Sequence, residues 1–375
     1  MLEQSPTTGH SAMDGNRLAG IHGLRFLAAA MVLVFHLRDV AGSHPPIGFD
    51  IYLGSGVRLF FVISAFSLMY STARYVGRAD WIRVFALKRF FRIAPMFYIA
   101  GVIGWIMGLS GSPTISEAVL SIFFVFNFFP DQIGSLTWAG WTIGVEMIFY
   151  SIMPTIIGTV YGLRSAFAFL LIAILIGFAT LAVPTHSALP SLFILMTFPS
   201  QIQFFAAGVC AFFIFLWFLN RERPLPSATL FAVVLIPVLM VCTWSIMTQR
   251  LELLPTYTDR ERDYISCVVA FGALVVWQAL RPSWIFSNRF VVYWGERSYS
   301  IYLLHGPILI AGVPIWRALD QQLGTALGYV ATGLVSLTLV LTASWITYRF
   351  VETPGMRAGA RFYGKSPERR PLGEW

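Results

Sequence analysis

Gly23-Leu24-Arg25-Phe26-Leu27-Ala28-Ala29-Ala30-Met31-Val32-Leu33-Val34-Phe35-His36 is the stretch on which the reading of this chain turns. Ten apolar residues separate Arg25 from His36, a run that belongs at the centre of a membrane-crossing helix. Eleven steps of about 100° bring a side chain back to within about 20° of its starting direction, so the guanidinium and the imidazole share one helix face. At about 1.5 Å per residue they stand roughly 16 Å apart, and a ligand touching both would be long and thin. Ionisable groups are costly inside hydrocarbon, and function is the first reading for them.

Composition extends this reading to the whole chain. Of 375 residues, 57% are hydrophobic and only 12% are charged, whereas soluble domains carry nearer a quarter. The net charge of +8 comes from short basic clusters between apolar runs. That pattern fits membrane topology and argues against nucleic acid as a partner. Cys210, Cys242 and Cys267 have neither paired nor metal-ligand spacing, so they read as core residues and no metal is expected. Arg17 and Arg25 ahead of the first apolar run, with Val40-Ala41-Gly42 after it, imitate a signal peptide. The Ala-x-Ala-like site is poor, and the helix is read as retained.

Apolar spans are expected over 22–40, 56–73, 90–109, 138–160, 165–183, 191–219, 228–247, 265–280, 299–316 and 325–350, which predicts an all-α integral membrane bundle of about ten transmembrane helices. The run Ala118 to Phe129 ends in Pro130-Asp131 and is too short to cross, so it is read as re-entrant or interfacial. Loop charge supports this count. Arg74, Arg78, Arg83, Lys88, Arg89 and Arg92 mark 74–92 as cytoplasmic. If 118–129 does not cross, Arg164, Arg221 and Arg223, then Arg281, Arg289 and Arg297, and the basic tail all fall on that same side. The loop Thr248 to Asp263 falls outside, its basic residues matched by acidic ones. The expected organisation is a flexible cytoplasmic tail over 1–20, a transmembrane domain over 21–353 and a basic cytoplasmic tail over 354–375. There is no internal repeat.

Five segments, in order, resemble the membrane-bound acyltransferase family 3, the bacterial O-acyltransferases of surface polysaccharides and related glycans. Arg25-x10-His36 resembles its Arg-x10-His signature, and Gly56-Val57-Arg58-Leu59-Phe60-Phe61-Val62-Ile63-Ser64-Ala65-Phe66 its Gly-Val-x-Leu-Phe-Phe-Val-x-Ser-Gly-Phe segment. Arg89-Phe90-Phe91-Arg92 followed by Pro95 resembles its Arg-x-x-Arg…Pro stretch. Trp141-Thr142-Ile143-Gly144-Val145-Glu146-Met147-Ile148-Phe149-Tyr150 resembles Trp-Ser-Leu-x-x-Glu-x-x-Phe-Tyr, and Ser298-Tyr299-Ser300-Ile301-Tyr302-Leu303-Leu304-His305 the late Ser-Tyr-Ser-x-Tyr-Leu-x-His. Ala65 replaces the usual Gly, which questions close helix packing there; Thr142 replaces Ser, and Met147 stands where a second acid is common.

The resemblance implies transfer of an acyl group, acetyl in the first instance, from cytoplasmic acetyl-CoA or another acyl-CoA to a hydroxyl of a saccharide or glycolipid at a bacterial plasma membrane. His36 is then the catalytic base, because an alcohol attacking a thioester must lose its proton to a neutral imidazole. Asp39, three residues on, either orients that imidazole or is a solvated loop acid. Arg25, Arg89 and Arg92 are expected at the inner mouth to hold the phosphates of coenzyme A, the alternative being positive-inside anchors. Glu146, the one carboxylate inside an expected span, must face a cavity or a cation. It is expected to share one pocket with His36, where it would fix the imidazole's tautomer or bind acceptor hydroxyls; a tie to Arg58 is the structural alternative. Trp138 and Trp141 suit stacking on a sugar face, and Ser64, Tyr302 and His305 are expected to line the channel. The competing class is a transporter or flippase for a lipid-linked sugar, since polar residues at depth also mark substrate pathways; the chain lacks the paired interrupted helices that would favour it.

Overall fold

The computed structural model describes residues 7–41, 53–109, 114–182, 191–221 and 259–363. Among them the regular structure is helical and no strand occurs, as lipid requires, since a helix satisfies its own backbone polar groups. In chain order the helices are α1 (Thr7–Ala41), α2 (Gly56–Thr72), α3 (Trp81–Ile106), α4 (Ile115–Ile122), α5 (Trp141–Thr159), α6 (Leu163–Leu181), α7 (Ser191–Met196), α8 (Phe198–Leu219) and α9 (Asp259–Leu280). They continue as α10 (Trp284–Ser287), α11 (Arg289–Glu296), α12 (Ser298–Ala311), α13 (Val313–Leu323), α14 (Thr325–Thr347) and, after a π-helical turn at Tyr348–Glu352, α15 (Thr353–Tyr363).

Seven stretches of the described residues are long and apolar enough to cross a membrane, and α12 with α13 makes an eighth if that pair, bent by 66°, counts as one span. The expected span at 228–247 lies outside the described residues. That at 265–280 is a helix whose apolar part, Tyr264–Leu280, is short. The chain over 118–129 divides between α4 and 3-10 turns at Phe126–Phe128 and Pro130–Gln132, and contains no candidate span. The ends differ from expectation: α1 already begins at Thr7, and the last span runs on through the π turn to Tyr363.

α2 and α8 form the centre, with 67% and 78% of their apolar windows buried against 17% for α6. Helices in lipid gain by close van der Waals approach, which small residues permit. Gly208 of α8 lies against the Val62 carbonyl and the Ala65 methyl of α2, so the room lost by Ala65 is supplied from the facing helix. α1 is fixed by a reciprocal contact: Gly23 abuts the Phe286 carbonyl of α10 and Gly295 of α11 abuts the His22 carbonyl of α1, each too closely for a β-carbon. This contact sets the depth at which Arg25 enters the bundle.

Candidate active site

Side chains of five helices line a partly open cavity of about 100 Å³. Three of the helices line it with a stripe at helical spacing: Arg89, Arg92 and Ile93 on α3, Thr142, Glu146 and Tyr150 on α5, and Ser298, Tyr299 and Tyr302 on α12. Arg25 enters from α1; Val57, Phe60, Phe61 and Ser64 enter from α2. The cavity is polar at its arginine end and bounded by aromatic and aliphatic side chains elsewhere, the composition of a small-molecule site.

The three arginines are held very differently. Arg92 is ion-paired with Glu352 at 3.1 Å and donates to the Glu296 carbonyl at 3.2 Å. Glu352 is fully buried in the π turn and accepts from Ser300, to which Thr347 donates at 3.1 Å. Arg89 donates to Ser71 at a long 3.4 Å, and its Nε is buried without a hydrogen-bond partner. Arg25 hydrogen-bonds no described residue and shares the cavity with Glu146, whose carboxylate accepts from Ser64. Three guanidinium groups against two carboxylates leave one net positive charge facing the cavity, and Arg25 and Arg89 are the two with donors to spare for an anion.

His36 lies apart from this group. Its ring packs on Trp138 at a centroid distance of 4.3 Å and on His305 at 5.3 Å. His305 packs on Tyr302 at 5.5 Å, and Tyr302 lines the cavity. The Thr142 hydroxyl donates to that of Tyr302 at 2.9 Å, and Tyr302 donates to the Ala139 carbonyl at 3.1 Å; threonine thus does there what serine would. Tyr302 therefore stands between the arginine cavity and the histidine pair.

Of the residues singled out in the sequence, Arg25, Arg89, Arg92, Ser64, Glu146 and Tyr302 meet around the cavity, while His36 and His305 meet beyond Tyr302. Glu146 was expected to share one pocket with His36; the structure lines the cavity with Glu146, whose carboxylate accepts from Ser64, and His36 is not among the lining residues. The alternative tie of Glu146 to Arg58 is also absent; Arg58 lies 4.0 Å over the Tyr264 ring. Trp141 packs edge-on against Phe61 and lines no part of the cavity; Trp138 is the indole at His36. The Asp39 side chain is outside the described residues. Glu352, two residues past the expected span end at 350, is fully buried, a carboxylate that the sequence reading did not single out. Its signal was a buried stripe at four-residue spacing, Gly328, Thr332, Ser336, Val340 and Ser344, which projects onward to 348 and 352.

A family model described as an acyltransferase domain matches residues 18–349. Peptidoglycan O-acetyltransferase OatA of Listeria monocytogenes serovar 1/2a is 24% identical, the match covering 95% of this chain and 60% of that protein. Exopolysaccharide production protein ExoZ of Rhizobium meliloti is 32% identical over 128 residues, 32% of this chain and 38% of that one. As matched, this chain thus spans less than two thirds of either relative. No solved structure matches.

Proposed function

We propose, from the premise that the chain belongs to the acyltransferase domain family, that it is a membrane O-acyltransferase moving an acyl group, acetyl in the first instance, from cytoplasmic acyl-coenzyme A to a saccharide hydroxyl. The names of the two relatives, a peptidoglycan O-acetyltransferase and an exopolysaccharide production protein, favour a saccharide or glycolipid as acceptor. The observation that carries the reading is the layout of α1: Arg25 opens into a cationic cavity, and His36 stands eleven residues on in an aromatic site. Roughly 16 Å of helix separates them, a distance suited to an extended pantetheine arm. Arg25 and Arg89 take the donor's phosphates, with Arg92 held behind them by Glu352. Glu146 and Ser64 bind along the channel, and both termini face the cytoplasm of a bacterial plasma membrane.

In the transfer step the acceptor O–H bond breaks as its oxygen bonds the thioester carbonyl carbon, and the proton passes to His36. Collapse breaks the C–S bond, and the thiolate leaves with the proton that His36 returns. Trp138 walls the site against water and offers a face to the sugar ring. The test is transfer itself. Purified protein in liposomes with labelled acetyl-CoA and a membrane-derived glycan should yield label in an alkali-labile ester. Acetyl-CoA that remains unconsumed with every glycan fraction of the producing cell would count against the function.

A further inference from the structure

A base of this kind is held in one tautomer by the acceptor of its ring N–H, and the imidazole of His305 packs beside that of His36. We propose that the partner is a second imidazole: His305 is the positioning residue of the reaction, accepting at its Nε2 a hydrogen bond from the ring N–H of His36. The inference rests on His36 being the base.

Three observations converge on it. First, His305 Nδ1 is bonded to the Tyr302 backbone carbonyl one turn earlier on α12. A carbonyl only accepts, so Nδ1 carries the proton and Nε2 of the neutral ring is a bare acceptor. Second, the ring is 1% exposed and Nε2 has no hydrogen-bond partner. A buried acceptor left bare is destabilising, and such a group persists where function uses it. Third, the neighbouring ring is that of His36, 5.3 Å between centroids and inclined by 31°, and Trp138 packs on both. Gly306, next to His305, has no room for a β-carbon beneath the Trp138 indole. The wall that holds the two imidazoles together is therefore built against backbone. Catalytic hydrogen bonds are often long in the unliganded protein and close only with substrate bound, so a small turn of the His36 ring on Trp138 completes the pair. His36 then presents its other nitrogen, unprotonated, to the acceptor hydroxyl. His305 keeps its own proton throughout.

The experiment compares His305→Phe, which keeps a ring but offers no acceptor, with His305→Gln, whose amide oxygen reaches the position of Nε2. His36→Ala is the control. In liposomes with acetyl-CoA and the glycan acceptor, His305→Phe should lose kcat by roughly 100-fold with KM for acetyl-CoA unchanged, and His305→Gln should recover most of it. Full turnover in the Phe variant, or a folded Gln variant as inactive as Phe, overturns the proposal. Turnover that survives in His36→Ala instead overturns the reading of the base, which keeps the two failures distinct. Should either His305 variant not fold, ¹⁵N shifts of histidine-labelled wild-type protein decide: His305 is expected as the Nδ1–H tautomer, and an Nε2–H tautomer excludes it as an acceptor.

Discussion

Arg25 and Arg92 show that two identical side chains at one cavity answer different demands. Arg92, half-buried, and Glu352, fully buried, form an ion pair, and removing one partner of such a pair is destabilising, by about 3–5 kcal/mol where both are buried and by less here. Glu352→Gln should therefore lower the thermal midpoint of the detergent-solubilised protein by many degrees, while Arg92→Met combined with Glu352→Leu recovers most of the loss; an unchanged midpoint in the single variant would contradict the pairing. Arg25 spends no hydrogen bond on the described residues, so Arg25→Ala should leave the midpoint unchanged or higher and weaken acyl-CoA binding, read by calorimetry against dephospho-coenzyme A. The placement of Arg25 and His36 on a single helix was legible from the apolar run between them. The burial of Glu352 was not, because it lies past the expected span end at 350 and a π turn at Tyr348–Glu352 holds it in the bundle. Such tertiary recruitment of a residue past the end of a span leaves only the faint periodic trace of the small buried stripe on α14.

At the scale of the element, α1 acts as a ruler whose zero is set by Gly23 and Gly295. A β-carbon at either site meets a carbonyl of the facing helix, and overpacking of this kind costs about 1–3 kcal/mol. Gly23→Ala should lower stability and also donor affinity, because Arg25 moves with its helix; Gly333→Ala, whose nearest neighbour is the end of the Leu37 side chain, should do neither. Equal effects at the two positions would deny α1 its registration role. The helical pattern over 22–40 and the failure of 118–129 to cross were both readable from run length. The bend between α12 and α13 was not: Trp316 folds back so that its indole donates to the Leu309 carbonyl at 2.8 Å and covers Gly312. Gly312-Val313-Pro314 permitted that break, but run length reads 299–316 as straight.

The whole molecule is a bundle in which a cationic cavity and an imidazole pair lie in series, joined along α1 and separated by Tyr302. The charge pattern of the loops predicts an orientation with the basic clusters inside. A cysteine at Gln132 in a cysteine-free background should react with an impermeant thiol reagent from outside, and one at Ser366 should not; the reverse result would turn the cavity's arginines away from cytoplasmic acyl-CoA. The central claim is that one helix divides donor binding from chemistry, and a paired measurement on two α1 variants tests it most directly. With acetyl-CoA and the glycan acceptor, His36→Ala should bind acetyl-CoA as the wild type does and lose turnover by about 10²–10⁴-fold, whereas Arg25→Ala should lose donor affinity with a much smaller change in kcat. Unimpaired turnover in His36→Ala, or loss of donor binding in His36→Ala as large as that in Arg25→Ala, would contradict it.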